Sequence, residues 1–148
     1  MDETNDKWVI ITDEGFQAED GMVFADGLSD LEQDGSRRCV YLKNHTDAGA
    51  IEPFLGRLDL IAIDFPSYAD GRGMSLATEL KRLGFAKTLQ ARGHVIPDQY
   101  AQMRRCGFDQ VAIPAAQAKR QPQAHWLEQV AAINDTYQVR LEQAAKVA

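Results

Sequence analysis

The sequence predicts an α/β domain of repeating βα units on a parallel sheet, half-barrel-like or a small open sheet, with an N-terminal short-strand region and a long C-terminal helix. Two runs, LDLIAIDF (58–65) and DQVAIP (109–114), are almost continuously apolar, as strands buried on both faces of a parallel sheet are. KRLGFAKTLQA (81–91) and RRCGFDQVAIPA (104–115) repeat one order of basic pair, apolar residue, Gly-Phe and strand, and FLGRLDLIAI (54–63) echoes it. Each copy is one helix-to-strand connection, in which glycine ends the helix and phenylalanine covers the seam.

The elements follow in order. WVIIT (8–12) and MVFADGL (22–28), separated by DEGFQAEDG, read as short strands or an irregular hairpin, and CVYL (39–42) as a short buried strand. TDAGAIEPFLGRL (46–58) carries a weak helix, tolerated only if Pro53 lies in a first turn. After LDLIAIDF, Ser75 is expected to cap a helix with Leu76, Leu80 and Leu83 inward, Lys81 and Arg82 in its last turn and Gly84 as its stop. TLQARGHV (88–95) is the next strand. Pro97 or Asp98 opens a helix with Tyr100 and Met103 inward, Arg104 and Arg105 near its end and Gly107 terminating it. DQVAIP follows, and beyond a polar linker Trp126, Val130, Ile133, Tyr137, Leu141 and Ala144 share one helical face.

At 148 residues and 45% hydrophobic content the chain is one domain with a single core. Within it, residues 1–36 form an acidic N-terminal region and 37–148 the βα-repeat body. Cys39 and Cys106 stand far apart, so neither a disulfide framework nor a zinc site is indicated, and both read as small buried hydrophobes. The net charge of -6 is uneven: residues 1–35 hold eleven acidic groups and one basic group, Lys7. This distribution argues against nucleic-acid binding and offers the leader as a solvated arm or a partner-docking surface. The acidic start and the shortness of every apolar run predict a cytoplasmic protein with no signal peptide and no membrane span. A homodimer that covers open sheet edges or the C-terminal helix is expected.

Residues able to handle a ligand gather in the turns after the strands, where α/β proteins place such groups. In ADGRGMSLA (69–77), Asp70, Gly71, Arg72 and Gly73 can hold an anion through backbone N–H groups, the helix dipole and the guanidinium. The same glycines also suit a tight turn needing positive φ, braced by Asp70. Arg92, at a neighbouring strand end, would give a second guanidinium, and the βα repeat places Arg72 and Arg92 at one shared concavity fit for sulfite, sulfate, phosphate or a carboxylated tetrapyrrole. Gln99 completes the anion-binding set. Asp64 and Asp98 can act as a proton-transfer pair or as a loop brace and a helix cap, and His94 can titrate near neutrality or be structural. The order Gly71-Arg72-Gly73-Met74-Ser75-Leu76-Ala77 imitates a degenerate dinucleotide fingerprint, with Arg92 placed for the 2′-phosphate of NADP, although five residues separate the strand from its first glycine. No nucleophile triad, Walker loop or metal set is present in the pattern.

Three ordered motifs carry a family resemblance. FPSYADGRGMSLATELK (65–81), LQARGHVIPDQ (89–99) and RCGFD (105–109) resemble the pattern FPxFxDGRGxSxAxxLR, LRAxGxVxxDQ and RCGFD of a bacterial family known as domain of unknown function 934, encoded beside assimilatory sulfite reductase and labelled a putative oxidoreductase. Departures are Tyr68 for Phe, Gln90-Ala91-Arg92 where Leu-Arg-Ala is usual, and His94 for Asp. The resemblance implies a role in assimilatory sulfite or sulfate reduction, with sulfite reductase or a related redox enzyme as partner, and brings no reaction. The competing expectations are an NADP-dependent oxidoreductase and a non-catalytic docking module for a redox enzyme.

Overall fold

The computed structural model describes residues 8–19, 23–67, 71–131 and 133. Seven strands form one sheet: β1 (Trp8–Thr12), β2 (Gly15–Ala18), β3 (Ala25–Asp26), β4 (Cys39–Leu42), β5 (Leu60–Phe65), β6 (Thr88–Gly93) and β7 (Gln110–Pro114). Their spatial order is β2-β1-β7-β6-β5-β4-β3. From β3 to β7 neighbours are parallel and sequential, whereas β1 is antiparallel to both β7 and β2. The expected parallel sheet of βα units is present.

Between the parallel strands run α1 (Gly27–Gln33), α2 (Ala48–Ile51) continued by a 3-10 segment (Glu52–Arg57), α3 (Arg72–Arg82), and a 3-10 turn (Pro97–Gln99) leading into α4 (Tyr100–Cys106). α5 (Ala115–Arg120) follows β7, and a further helix, α6, covers residues 123–131. When every parallel strand lies next to its predecessor, right-handed crossovers put all helices on one side. The core shows this: Val40, Leu42, Ile61, Ile63, Leu89, Ala91, Val111 and Ile113 alternate onto the face that meets Leu31, Ile51, Leu76, Leu80 and Met103 of the helices. The opposite face carries a smaller apolar cluster of Cys39, Leu60 and Ala62 with Phe24 and Tyr41, beside buried Ile10 and Ala112.

Chain length then bends the sheet. β2 and β3 occupy opposite edges, yet Ala18 and Ala25 are seven residues apart. That length of extended chain reaches about 25 Å at most, while six inter-strand gaps of about 4.8 Å make about 29 Å. The edges must curl toward each other over the helix-free face. Accordingly Ala18 and Glu19 after one edge, and Phe24 before the other, line one small hollow with residues of the central strands.

Several local expectations are corrected. The hairpin partner of WVIIT is Gly15–Ala18, not MVFADGL, among whose described residues Ala25–Asp26 form strand. Gly15 follows the two-residue turn at φ 116°, a conformation that lets the chain reverse there. GLSDLEQ, in a stretch that reads as polar connection, folds as α1, where the Asp30 carboxylate accepts from the Asp26 N–H at 2.8 Å and Leu31 is fully buried. α3 begins at Arg72, so Ser75 lies inside the helix rather than capping it. Asp98 is no cap either, for Ile96 holds that position and the Gln99 side chain accepts from its N–H at 3.2 Å. Pro53 does lie in the first turn of its 3-10 segment. Cys39 is buried but Cys106 is half-buried. Trp126 of α6 is fully buried and Val130 and Ile133 pack on the core, while Tyr137, Leu141 and Ala144 lie outside the described residues.

Two glycines are fixed by close approach. Gly93 has φ 134°, and a Cβ there would stand 2.5 Å from the Phe65 carbonyl oxygen. Gly73 meets the Phe65 ring, 2.6 Å from where its Cβ would be. The expectation of positive φ at Gly71 and Gly73 is thereby corrected, since neither adopts it. Gly93→Ala is expected to destabilise the fold by about 1–3 kcal/mol from backbone strain alone, read as a lower urea midpoint with an unchanged slope.

Candidate functional site

The helix-free face is where polar groups collect. On β6, Gln90 and Arg92 alternate with Leu89 and Ala91, so the apolar pair enters the helix-covered core and the polar pair faces the other way. Asp64 on β5 stands in register with Arg92, and Tyr41 on β4 belongs to the same face. β1 contributes Trp8 and the chain after β2 contributes Glu19.

Arg92 is the centre of this group. Its side chain is 9% exposed and its Nη1 donates to Glu19 Oε1 at 2.8 Å and to Gln90 Oε1 at 3.1 Å. Its guanidinium carbon lies 4.1 Å from the centroid of the Trp8 ring and 5.1 Å from that of Phe24, distances at which ring quadrupoles attract a cation. Gln90 passes the network on, its amide N–H donating to Gln110 Oε1 at 2.8 Å. Beside it the Tyr41 hydroxyl donates to Asp64 Oδ1 at 2.7 Å, with Lys43 Nζ 4.0 Å from Oδ2. Burial, then the bond to Asp64, pushes the Tyr41 phenol well above its usual range. Tyr41 is thus a fixed donor that orients Asp64, not a group that exchanges its proton near neutrality. Next to this cluster, Ile10, Gln17, Glu19, Leu60, Gln90 and Gln110 help to line a hollow of about 160 Å³.

The other expected site residues lie elsewhere. Arg72, exposed at the head of α3, lines a shallow cleft of about 430 Å³ with His45, Asp47, Ser75 and Glu79 in the helix layer. The single concavity shared by Arg72 and Arg92 is therefore corrected: the sheet separates them, because α3 packs on one face and Arg92 points from the other. Gly71 precedes α3 as its exposed N-cap, and Gly73 is buried under Phe65. His94 is exposed just past β6. Asp98 lies by a third hollow with Gln121, His125 and Glu128, and Gln99 is spent on its helix start. Asp64 stands on the helix-free face beside Tyr41, and Asp98 in the 3-10 turn before α4. Asp70 lies outside the described residues. Tyr41, Trp8, Glu19, Phe24, Gln90 and Gln110 were not singled out from the sequence, although the i, i+2 polar pair Gln90 and Arg92 within an apolar strand marks a polar sheet face.

A second network ties the hairpin to the helices. Arg104, in the last turn of α4, makes a two-pronged contact with Asp13 (Nε–Oδ1 3.0 Å, Nη2–Oδ2 2.9 Å) and donates to the Phe108 carbonyl at 2.7 Å. The Tyr100 hydroxyl also donates to Asp13, at 2.6 Å. An arginine of this helix end thus reaches the acidic turn of the hairpin.

No group of three or more His, Cys, Asp or Glu side chains among the described residues is arranged to hold a metal ion. No described helix is long and apolar enough to cross a membrane.

These features define a class: a singly wound α/β protein whose helices cover one sheet face and whose curled opposite face encloses an arginine-centred polar site. The chain belongs to the family described as bacterial protein of unknown function (DUF934), whose model matches residues 39–147. No curated protein and no solved structure matches the chain.

The arginine contacts, chiefly the hydrogen bonds from Arg104, hold the Asp13 carboxyl below its usual range. A carboxyl whose folded pKa is depressed contributes stability present above its unfolded value, about 3.9, and lost as pH falls through the folded value. Asp13→Asn should therefore lower the melting temperature at pH 7 and reduce the acid-induced loss seen below about pH 4. Thermal melts of both proteins across that range check it.

Proposed function

We propose that this protein is an accessory protein of assimilatory sulfite or sulfate reduction that handles a small anion at the helix-free sheet face, with Arg92 as the anchoring cation. The observation that carries the anion part is a guanidinium held at 9% exposure on the face that no helix covers. Burying a charge costs several kcal/mol unless it is paired, so a position needed only for packing favours an aliphatic residue. The fork of an arginine matches the oxygens of sulfite, sulfate or phosphate. The hollow beside it, about 160 Å³, is below the about 300–1,000 Å³ of pockets that enclose drug-sized ligands and suits an ion of that size better than a tetrapyrrole.

The sulfur-assimilation part rests on the family and on its place beside assimilatory sulfite reductase. On this reading the protein works in the cytoplasm as a homodimer next to a redox enzyme. NADP chemistry draws less support. Dinucleotides bind where the strand order of a parallel sheet reverses, and β3 to β7 run in one direction without reversal. Gly73, central to the imitated fingerprint, is taken up by packing on Phe65.

Thermal unfolding with sulfite, sulfate, phosphate, NADPH and NADH separates these readings. At a hundredfold excess over Kd an oxyanion should add about 2.7 kcal/mol of stability, a shift that Arg92→Ala abolishes and Arg72→Ala preserves. A response to NADPH alone would overturn the anion reading, and failure to co-purify with sulfite reductase would remove its partner.

A further inference from the structure

Four contacts surround the Arg92 guanidinium, and they differ in kind. Gln90 lies two residues away on the same strand, and Trp8 and Phe24 supply neutral rings. Only Glu19 brings the opposite charge among the contacts described for Arg92. It follows the last residue of β2, so it reaches Arg92 from outside the sheet ladder. Its side chain is 25% exposed where that of Arg92 is 9% exposed, which leaves the carboxylate a way out to water while the cation stays enclosed. Removing the Glu19 carboxylate would leave Arg92 still positioned by Gln90 and both rings, while Asp64, its neighbour in register, is engaged by Tyr41 and Lys43.

We infer that Glu19 holds the place of the ligand's charged group: the site is self-ligated, and an anion with two oxygens on one centre, a carboxylate or sulfite, binds by displacing Glu19 from Arg92. This rests on the reading that Arg92 takes an anion, and adds how the site is kept closed to other solutes. An incoming anion competes with a carboxylate tethered at high local concentration, and it gains on the single Glu19 Oε1 contact with Nη1 by offering two oxygens to the guanidinium fork. Gln17 and Gln110, which line the adjoining hollow, are placed for a second polar end of the ligand. Malonate carries a forked oxygen pair at each end, whereas chloride offers one centre and no fork.

The test is thermal unfolding of the full chain in rising sulfite and, separately, rising malonate, with chloride at matched ionic strength. Glu19→Gln should reach its half-maximal shift at no more than a tenth of the concentration wild type needs. Glu14→Gln, which removes the same charge from the neighbouring turn, should behave as wild type, which separates displacement from a general change of field. Glu19→Gln with Arg92→Gln, or with Arg92→Lys where the first does not fold, should lose the shift. A wild-type-like anion dependence in Glu19→Gln overturns self-ligation and leaves the anion site standing. If no variant and no anion gives a shift that depends on Arg92, the anion reading falls together with it. A larger shift with malonate than with sulfite assigns the site to carboxylates, and the reverse assigns it to sulfite.

Discussion

The sequential, one-directional order of the five parallel strands is the constraint on which the rest depends. It sends every helix to one side, so a single face of the sheet receives the continuous apolar core and the other is left to whatever the loops can bring. The short link between Ala18 and Ala25 then forces the edges inward. A flat sheet of this topology would leave Arg92, Asp64 and Tyr41 open to water. The curl instead encloses them with Glu19 and two aromatic rings, and enclosure is what strengthens charge interactions by lowering the local dielectric.

The acidic N-terminal region has an internal use. Asp13 is held by Arg104 and Tyr100, Glu19 by Arg92, and Asp34 lies 3.2 Å from Arg37. Part of the charge that looks, in sequence, like a surface for another molecule is directed at basic residues of the same chain. The uneven charge along the chain is in part a record of which segments fold against each other. Exposed pairs add little stability singly, but Asp13 and the more enclosed Glu19 fasten the hairpin to residues 91 and 73 positions away.

How much of this was legible follows from which signals are local. LDLIAIDF and DQVAIP are long enough, and apolar enough on both faces, to declare parallel strands, and Gly84 and Gly107 end their helices with φ 106° and 113° as helix-stop glycines do. Asp64 is legible because it interrupts such a run, and Arg92 because it stands near the end of the next strand. GFQA and GLSDLEQ were missed because a four-residue strand and a seven-residue helix carry too few periodic positions. The joint placement of Arg72 and Arg92 failed for a different reason. Both stand at the same sheet end, Arg72 beyond β5 and Arg92 within β6, but a strand residue may point to either face, and only the parity of Arg92 with Gln90, against that of Leu89 and Ala91, decides it.

The pairing of β1 with β7 joins Trp8 to Pro114, whereas the strands from β3 to β7 pair with near neighbours in the chain. Contacts between distant segments are slow to form because a long loop must close first. Trp8 and Glu19 both arrive with this closure, the latter from 73 positions away. A growing chain released residue by residue could assemble the parallel units early, yet it would hold Arg92 without its ring and its counter-charge until β7 had emerged to receive β1. Completion of the site is therefore tied to the appearance of β7, and a truncated or nascent product that stops short of it would still lack the site while keeping most of its secondary structure.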